Sequence, residues 1–349
     1  MKSKKKRDLP MPMNLLTQYK NKFHGIFEVI ENIAKGKGKD LPMWSEKCYI
    51  PIAVTLALGD IYSNIDVNHY HMLAALASWR RYKQIYKFDT TLLNELLTSS
   101  VDDKIPIQVL TNLPYNSFYV EIKTFDIDGF FVFYDDDCRG NKNSLELRFS
   151  VIYSNGSSIP YFIPLINDST VTDALKIAYR QDLKRVTPML SKDNKISVLK
   201  NLSANNVTDI IDDEHFYKSS SVILALLNLV YYICAKNADI TENSDTKKTY
   251  KTINTERIKD KFSEIRKWDV GYKVAKMLQN QCSDKSSSSN SSSSNLSSRK
   301  RPHTRRAHFH HYWVGKKGEQ KLEVRWVHAA FINADKDNDN IIVTINKTS

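Results

Sequence analysis

Five of the nine histidines in this 349-residue chain fall between His303 and His328. They share that stretch with arginines and aromatic rings, in the order Arg299-Lys300-Arg301-Pro302-His303-Thr304-Arg305-Arg306-Ala307-His308-Phe309-His310-His311-Tyr312-Trp313. Arginine offers phosphate or carboxylate a planar fork of donors, histidine offers a weaker titratable donor, and Tyr or Trp offers a flat surface for an unpaired base or a peptide side chain. The mixture suits binding to nucleic acid or the ribosome. Two sharper chemistries use the same residues. His308 and His310 share a strand face and could bind a metal with His303 or His328 as third ligand. As a proton-transfer pair, with Arg stabilising a phosphorane, they could cleave RNA. His-x-His with no third ligand at a known spacing is a weak metal signature, and crowded arginines repel a divalent cation. The plain structural alternative is a solvated strand face. The RNA or ribosome contacts expected are Arg299, Lys300, Arg301, His303, Arg305, Arg306, His308, His310, Tyr312 and Arg325. No catalytic residue, metal or cofactor is assigned.

Other candidates carry less chemistry. Asp135-Asp136-Asp137 follows a strand and could take a cation or a basic peptide, but reads first as an acidic turn in water. His69 and His71 do not share a helix face and read as structural. Lys35-Gly36-Lys37-Gly38-Lys39 lacks P-loop spacing and reads as a helix stop. Neither a Gly-x-Ser-x-Gly elbow nor a dinucleotide fingerprint occurs.

The net charge of +12 is unevenly placed. Five basic residues stand in the first seven positions, and eight more lie between Lys285 and Gly318, where no carboxylate occurs. Setting those thirteen aside from +12 leaves −1 for the remainder, a near-neutral body with two basic segments fit for an anionic partner. The basic head is followed by Asp8-Leu9-Pro10-Met11-Pro12 and not by the apolar core of a signal peptide. The longest apolar run, Val222 to Ala235, is broken by Asn228 and reads as a buried helix, so no membrane contact is expected. Cys48, Cys138, Cys234 and Cys282 lack paired spacing, which suits a reducing cytoplasm.

Positioning falls to five segments: a basic disordered head over 1–12, a helical region over 13–104, an α+β region over 105–280, a Ser/Asn-rich linker over 281–298, and a basic β region over 299–349. In the second, Leu15 through Ile33 recur at helical steps until Gly36 and Gly38, a helix starts near Ser45, and another runs from His71 to Tyr86. Asp89 caps a further one. In the third, period-two alternation predicts strands near 117–125, 129–135, 144–153 and 159–165, joined by turns at Asp128-Gly129 and Asn155-Gly156 into an antiparallel meander. Helices follow from Ser169 or Thr170, over Ser220 to Ala235, and over Arg257 to Leu278. The linker cannot collect enough apolar area to order itself. Beyond it a hairpin with one or two added strands is expected, with Phe309, Trp313, Leu322, Val324 and Trp326 inward. Arg306, His308, His310, Tyr312, Lys321, Glu323 and Arg325 should face out. The class is α+β: N-terminal helices, a central antiparallel sheet with packed helices, and a C-terminal basic hairpin.

The late segment also carries a pattern. Lys-Arg-Pro-His-x-Arg-Arg-x-His-x-His-x-Tyr-Trp-x-Gly, then Val-Arg-Trp and Phe-Ile-Asn, resembles the signature of type V-A anti-CRISPR proteins of the group that lowers the amount of the type V-A effector nuclease. Leu113-Pro114, Tyr119-Val120, Gly129-Phe130-Phe131 and Trp79-Arg80 support it across the chain. His303, Arg305, Arg306, His308, His310, Tyr312, Trp313, Gly315, Arg325 and Trp326 match, while Phe309 stands where relatives carry a second Trp. The resemblance implies a non-enzymatic protein of phages and plasmids acting in the cytoplasm of a bacterial host. Its implied partners are the nascent N-terminal peptide of the effector and the messenger RNA or ribosome, with loss of the messenger as the outcome. An apolar groove beside Tyr119, Phe130 and Phe131 is the expected peptide contact. A His-dependent ribonuclease and a purely structural module are the alternatives.

Overall fold

In the computed structural model the described residues are 9–36, 43–60, 62, 65, 67–99, 105–124, 126–136, 145–166, 169–186, 213–243, 264–273, 275–276, 303–305, 307–328 and 330–332. The basic head, the Ser/Asn-rich linker, Arg299 to Arg301, Arg306, Asp137, Cys138, Cys282 and the tail after Ile332 lie outside them, as do the side chains of His303 and Arg305.

The architecture is α+β around a mixed seven-stranded sheet. The expected meander is present: β2 (Ser117–Thr124), β3 (Ile127–Asp136), β4 (Leu145–Tyr153) and β5 (Ser158–Pro164) pair antiparallel in sequence order. The sheet does not end there. β1 (Gln84–Phe88) pairs parallel with both β2 and β7 (Arg266–Val270), and β6 (Ile240–Glu242) closes that edge, giving the order β5-β4-β3-β2-β1-β7-β6. The expectation of an antiparallel sheet is therefore corrected to a mixed one.

Two strands had read as helix. α4 (Val67–Tyr82) stops at Lys83, whose φ of 48° leaves the helical region, and its Trp79 indole N–H donates to Gln84 O (2.9 Å). Residues 84–86 are therefore strand. All of β1 except Lys87 is buried, because the strand is covered on both faces, so no polar–apolar alternation marks it. β7 replaces the middle of the helix expected over 257–278.

Other boundaries move for local reasons. The single helix read through Leu15 to Ile33 is two, α1 (Met11–Lys22) and α2 (Ile26–Lys35), broken at Gly25 with φ +74°. No helix starts at Ser45, and the short α3 (Ile52–Thr55) follows later. The first meander turn sits at Asp126 (φ 57°), not Asp128-Gly129, whereas Gly156 (φ +83°) turns as expected. Gly129 lies inside β3, where a Cβ would collide with the Tyr119 hydroxyl and Val120 O. Asp89 caps α5 (Thr90–Thr98) by accepting from Thr91 N at 2.8 Å. Thr170 and Asp173 cap α6 (Val171–Val186) reciprocally: Asp173 N donates to Thr170 Oγ1 (3.2 Å) and Thr170 N to Asp173 Oδ2 (3.3 Å).

Cores lie on both faces of the sheet. On one, α1, α2 and α4 cover Ile85, Tyr119, Phe131 and Phe133. On the other, α5, α6 and α7 (Asp213–Cys234) cover Phe118, Val120, Phe130, Val132 and Tyr134. The apolar run Val222 to Ala235 falls mostly in α7, and no described helix is long and apolar enough to cross a membrane. Asn228, which interrupts that run, donates from Nδ2 to Leu96 O and Ser99 O (2.9 Å each) and so closes the C-terminal end of α5.

Buried phenols make the fold sensitive to alkali. Burial pushes the Tyr232 hydroxyl up to about 12, and Tyr86, Tyr119, Tyr134 and Tyr161 further up for the same reason. Above pH 10 the unfolded chain ionises these groups while the folded chain keeps their protons. Stability is thus whole below pH 10 and falls as pH rises, by up to about 1.4 kcal/mol per unit for each tyrosine. Urea midpoints at pH 8.5 and pH 11 should differ accordingly; equal midpoints would contradict the burial.

Candidate nucleic-acid interface

The described residues among those singled out near the C-terminus lie on two two-stranded ladders that together make a ribbon. β9 (His308–Val314) pairs antiparallel with β10 (Lys321–Val327), and β8 (His303–Arg305) with β11 (Ala330–Ile332). His308 faces Val327 in one ladder and Arg305 faces Ala330 in the other, so the same register carries across the gap between them. The turn uses Gly315 (φ +125°) and Gly318 (φ +93°), values other residues rarely adopt, around Lys316 and Lys317.

Alternation decides which face is held. Phe309, Val324 and Trp326 point inward, are at most 2 % exposed, and belong to the core of α7 and the central sheet. The Phe309 ring lies 4.4 Å from Trp326 and 5.7 Å from Tyr231, and Trp326 lies 6.4 Å from Tyr232. The end of α7 latches the backbone. Asn237 Nδ2 donates to Trp326 O (2.9 Å), Trp326 N donates to Asn237 Oδ1 (3.0 Å), and Lys236 N donates to Val324 O (2.9 Å). Asn237 thereby acts as one more strand residue. Lys236 Nζ also binds Glu323 at 2.9 and 3.1 Å. Neither Lys236 nor Asn237 was marked by the sequence, since each is a common polar residue after a helix.

The distal half stands clear of that core. Leu322 is half-buried, whereas its partner Trp313 is 56 % exposed, with Tyr312 and Val314 at 43 % each. The expectation that Trp313 packs inward is corrected: its face is the inner one, but among the described residues the packing ends at Leu322. On the outer face His310 is exposed, His308 half-buried, and the Arg325 side chain 39 % exposed. His310 stacks on Tyr312 (4.4 Å, 24°), and the Arg325 guanidinium sits 5.7 Å from the Tyr312 ring centre and 3.7 Å from Glu323. Lys316, Lys317 and Lys321 are exposed around the turn.

His308 and His310 are 6.4 Å apart between ring centres. Trp326 Nε1–H donates to His328 Nδ1 (3.1 Å), and Glu95 Oε2 lies 3.8 Å from the same nitrogen. Among the described residues no group of three or more His, Cys, Asp or Glu is placed to hold a metal ion.

The expected peptide contacts are a correction. Tyr119, Phe130 and Phe131 are each 0 % exposed. Tyr119 and Phe131 sit 5.0 Å apart under the N-terminal helices, and Phe130 lies in the opposite core. Strands covered on both faces leave no groove there. A cavity of about 300 Å³ opens elsewhere, lined by Glu31, Lys35, Trp44, Tyr49, Ser78 and Arg81 among others. The Arg81 guanidinium lies 4.8 Å over the Tyr49 ring, and Ser78 Oγ is buried without a hydrogen-bond partner.

The family model of the anti-CRISPR type V subtype A2 proteins, AcrVA2-like, matches residues 86–334, from within β1 to beyond β11. The chain belongs to that family. The AcrVA2-like segment thus holds six of the seven sheet strands whole, most of β1, α5 to α7 and the whole ribbon, with its core anchor and exposed tip. Among solved structures the chain is similar to one described as the crystal structure of AcrVA2, with a TM-score of 0.58 and 18 % identity over 93 % of this chain and 100 % of that one. At that identity the likeness speaks for a shared fold. No curated protein matches the sequence significantly.

Proposed function

We propose that this anti-CRISPR protein lowers the level of the type V-A effector nuclease by engaging the effector's N-terminal segment as it emerges from the ribosome, which leads to loss of the effector's messenger RNA. The ribbon contacts RNA or ribosome, and the body holds the peptide. The observation that carries the reading is the division of the ribbon into a base inside the main core and an outer half of exposed rings and lysines. Such a rigid mount presents cations and π-faces without ordering them anew on binding. The peptide is assigned to the cavity beside Arg81 and Tyr49, whose aromatic walls, charged rim and unpartnered Ser78 hydroxyl suit a side chain with a hydrogen-bonding group. The protein acts as a binding protein, not an enzyme, in the cytoplasm of the host.

A pull-down from translating cells, with and without nuclease treatment, separates partners held by peptide from partners held by RNA. Lys316→Ala with Lys317→Ala should weaken ribosome or RNA association and spare capture of a synthetic peptide copied from the effector's N-terminus. Arg81→Glu should do the reverse. If about four phosphates are met on a single strand, log affinity falls with log salt at a slope of about −3. A flat salt response, or cleavage of naked RNA by the purified protein, would contradict the proposal.

A further inference from the structure

The outer half of the ribbon has two aromatic rings, and they are not equivalent. Tyr312 has His310 stacked on it (4.4 Å, 24°) and the Arg325 guanidinium 5.7 Å from its centre. It is a rung in a ladder. Trp313, the next residue, is on the opposite face of the ribbon, 56 % exposed. Among the described residues its side chain has neither a ring partner nor a hydrogen bond. Every other described tryptophan is covered: Trp44, Trp79 and Trp326 are at most 5 % exposed, and the half-buried Trp268 stacks on Tyr86 at 6.2 Å and 19°.

An indole left in water on a strand face that otherwise packs inward costs apolar exposure, and a large exposed aromatic beside further exposed apolar surface marks a contact site. Around it the accessible charges are predominantly positive. Lys316, Lys317 and Lys321 flank the turn, the one exposed carboxylate there is Glu319, and Glu323 is already paired with Lys236. The partner is therefore anionic and offers flat apolar faces. A base inside a duplex has both faces occupied by its neighbours, whereas an unpaired base leaves a face free for the indole.

We infer that Trp313 is a stacking platform for an unpaired RNA base, and that the ribbon tip selects single-stranded over double-stranded RNA. His310, Tyr312 and Arg325 hold the opposite face of the ribbon stiff behind it, while Lys316, Lys317 and Lys321 meet the flanking phosphates. This rests on the reading of the ribbon as an RNA contact and adds which RNA and which ring.

The test uses the full chain with a fluorescein-labelled oligouridine of about 12 nucleotides and an RNA duplex of equal length, read by anisotropy and by tryptophan emission. Oligouridine should bind more tightly than duplex and quench the emission. Trp313→Ala should weaken oligouridine binding about 5- to 150-fold and abolish the quench, and Trp313→Phe should be intermediate in affinity while likewise lacking the quench. Tyr312→Phe should leave the quench in place. Circular dichroism and urea midpoints of the variants report that the fold is unchanged. Oligouridine binding unaltered by Trp313→Ala, or equal binding of duplex, overturns the inference and leaves the RNA reading standing. No binding of either RNA overturns both. Loss of ribosome association in Trp313→Ala with unaltered binding of naked RNA assigns the ring to a protein surface and likewise overturns the inference.

Discussion

Arg148→Met should lower the stability of the folded chain by about 3–5 kcal/mol, because it removes the cation from a buried ion triad. Arg148 Nε lies 3.1 Å from Asp135 Oδ2, its terminal nitrogen 2.5 Å from Glu146 Oε2, and its guanidinium 4.6 Å from the Phe162 ring centre. The three side chains are 10 % or less exposed. Asp135 and Glu146 are direct partners in the β3–β4 ladder, so without Arg148 two buried carboxylates face each other. Asp135 has further work, since its Oδ1 accepts from Ile52 N and Asp136 N at 2.9 Å each and ties the N-terminal helical side to the sheet. The triple variant Arg148→Met, Asp135→Asn, Glu146→Gln removes the facing charges and keeps an acceptor at position 135, and should recover a large part of the loss. Urea unfolding measures both. A loss under about 1 kcal/mol for Arg148→Met would show that the triad is solvated and not sealed.

Trp326→Ala should cost about 3–5 kcal/mol and free the ribbon from the body. Trp326 is 1 % exposed, packs on Phe309 and Tyr232, and sits where Asn237 bonds the backbone in both directions. Hydrogen exchange should show protection lost over 308–327 and kept over β2 to β4. Trp313→Ala, four pairs along the same ribbon, removes an equal ring from an exposed site and should change stability by no more than about 0.5 kcal/mol. If the two variants destabilised the chain alike, the division between anchored base and free tip would be wrong.

Local physics explains which elements were legible. The meander strands alternate, Asp89 and Thr170 cap helices by short-range bonds, and Asn155-Gly156 requires a positive φ, so each declares itself within a few residues. β1 and β7 do not: β1 is covered on both faces and shows no polar side, and both pair in parallel with strands far along the chain. Asp135 shows the same limit from the opposite direction. Three consecutive aspartates look solvated until Arg148, thirteen residues later, folds over one of them.

The sequence by itself determined the α+β class, the basic ribbon with its turn and its two-residue alternation, and the motif by which the family could be suspected, because these are matters of residue type and short-range geometry. Only the tertiary structure decided that Tyr119, Phe130 and Phe131 are core, that Asn237 and Lys236 latch the ribbon, and that among the described residues the packing stops short of Trp313. Alternation tells which way a side chain points. Whether anything is there to cover it depends on where distant segments end, and that is a property of the packed chain alone.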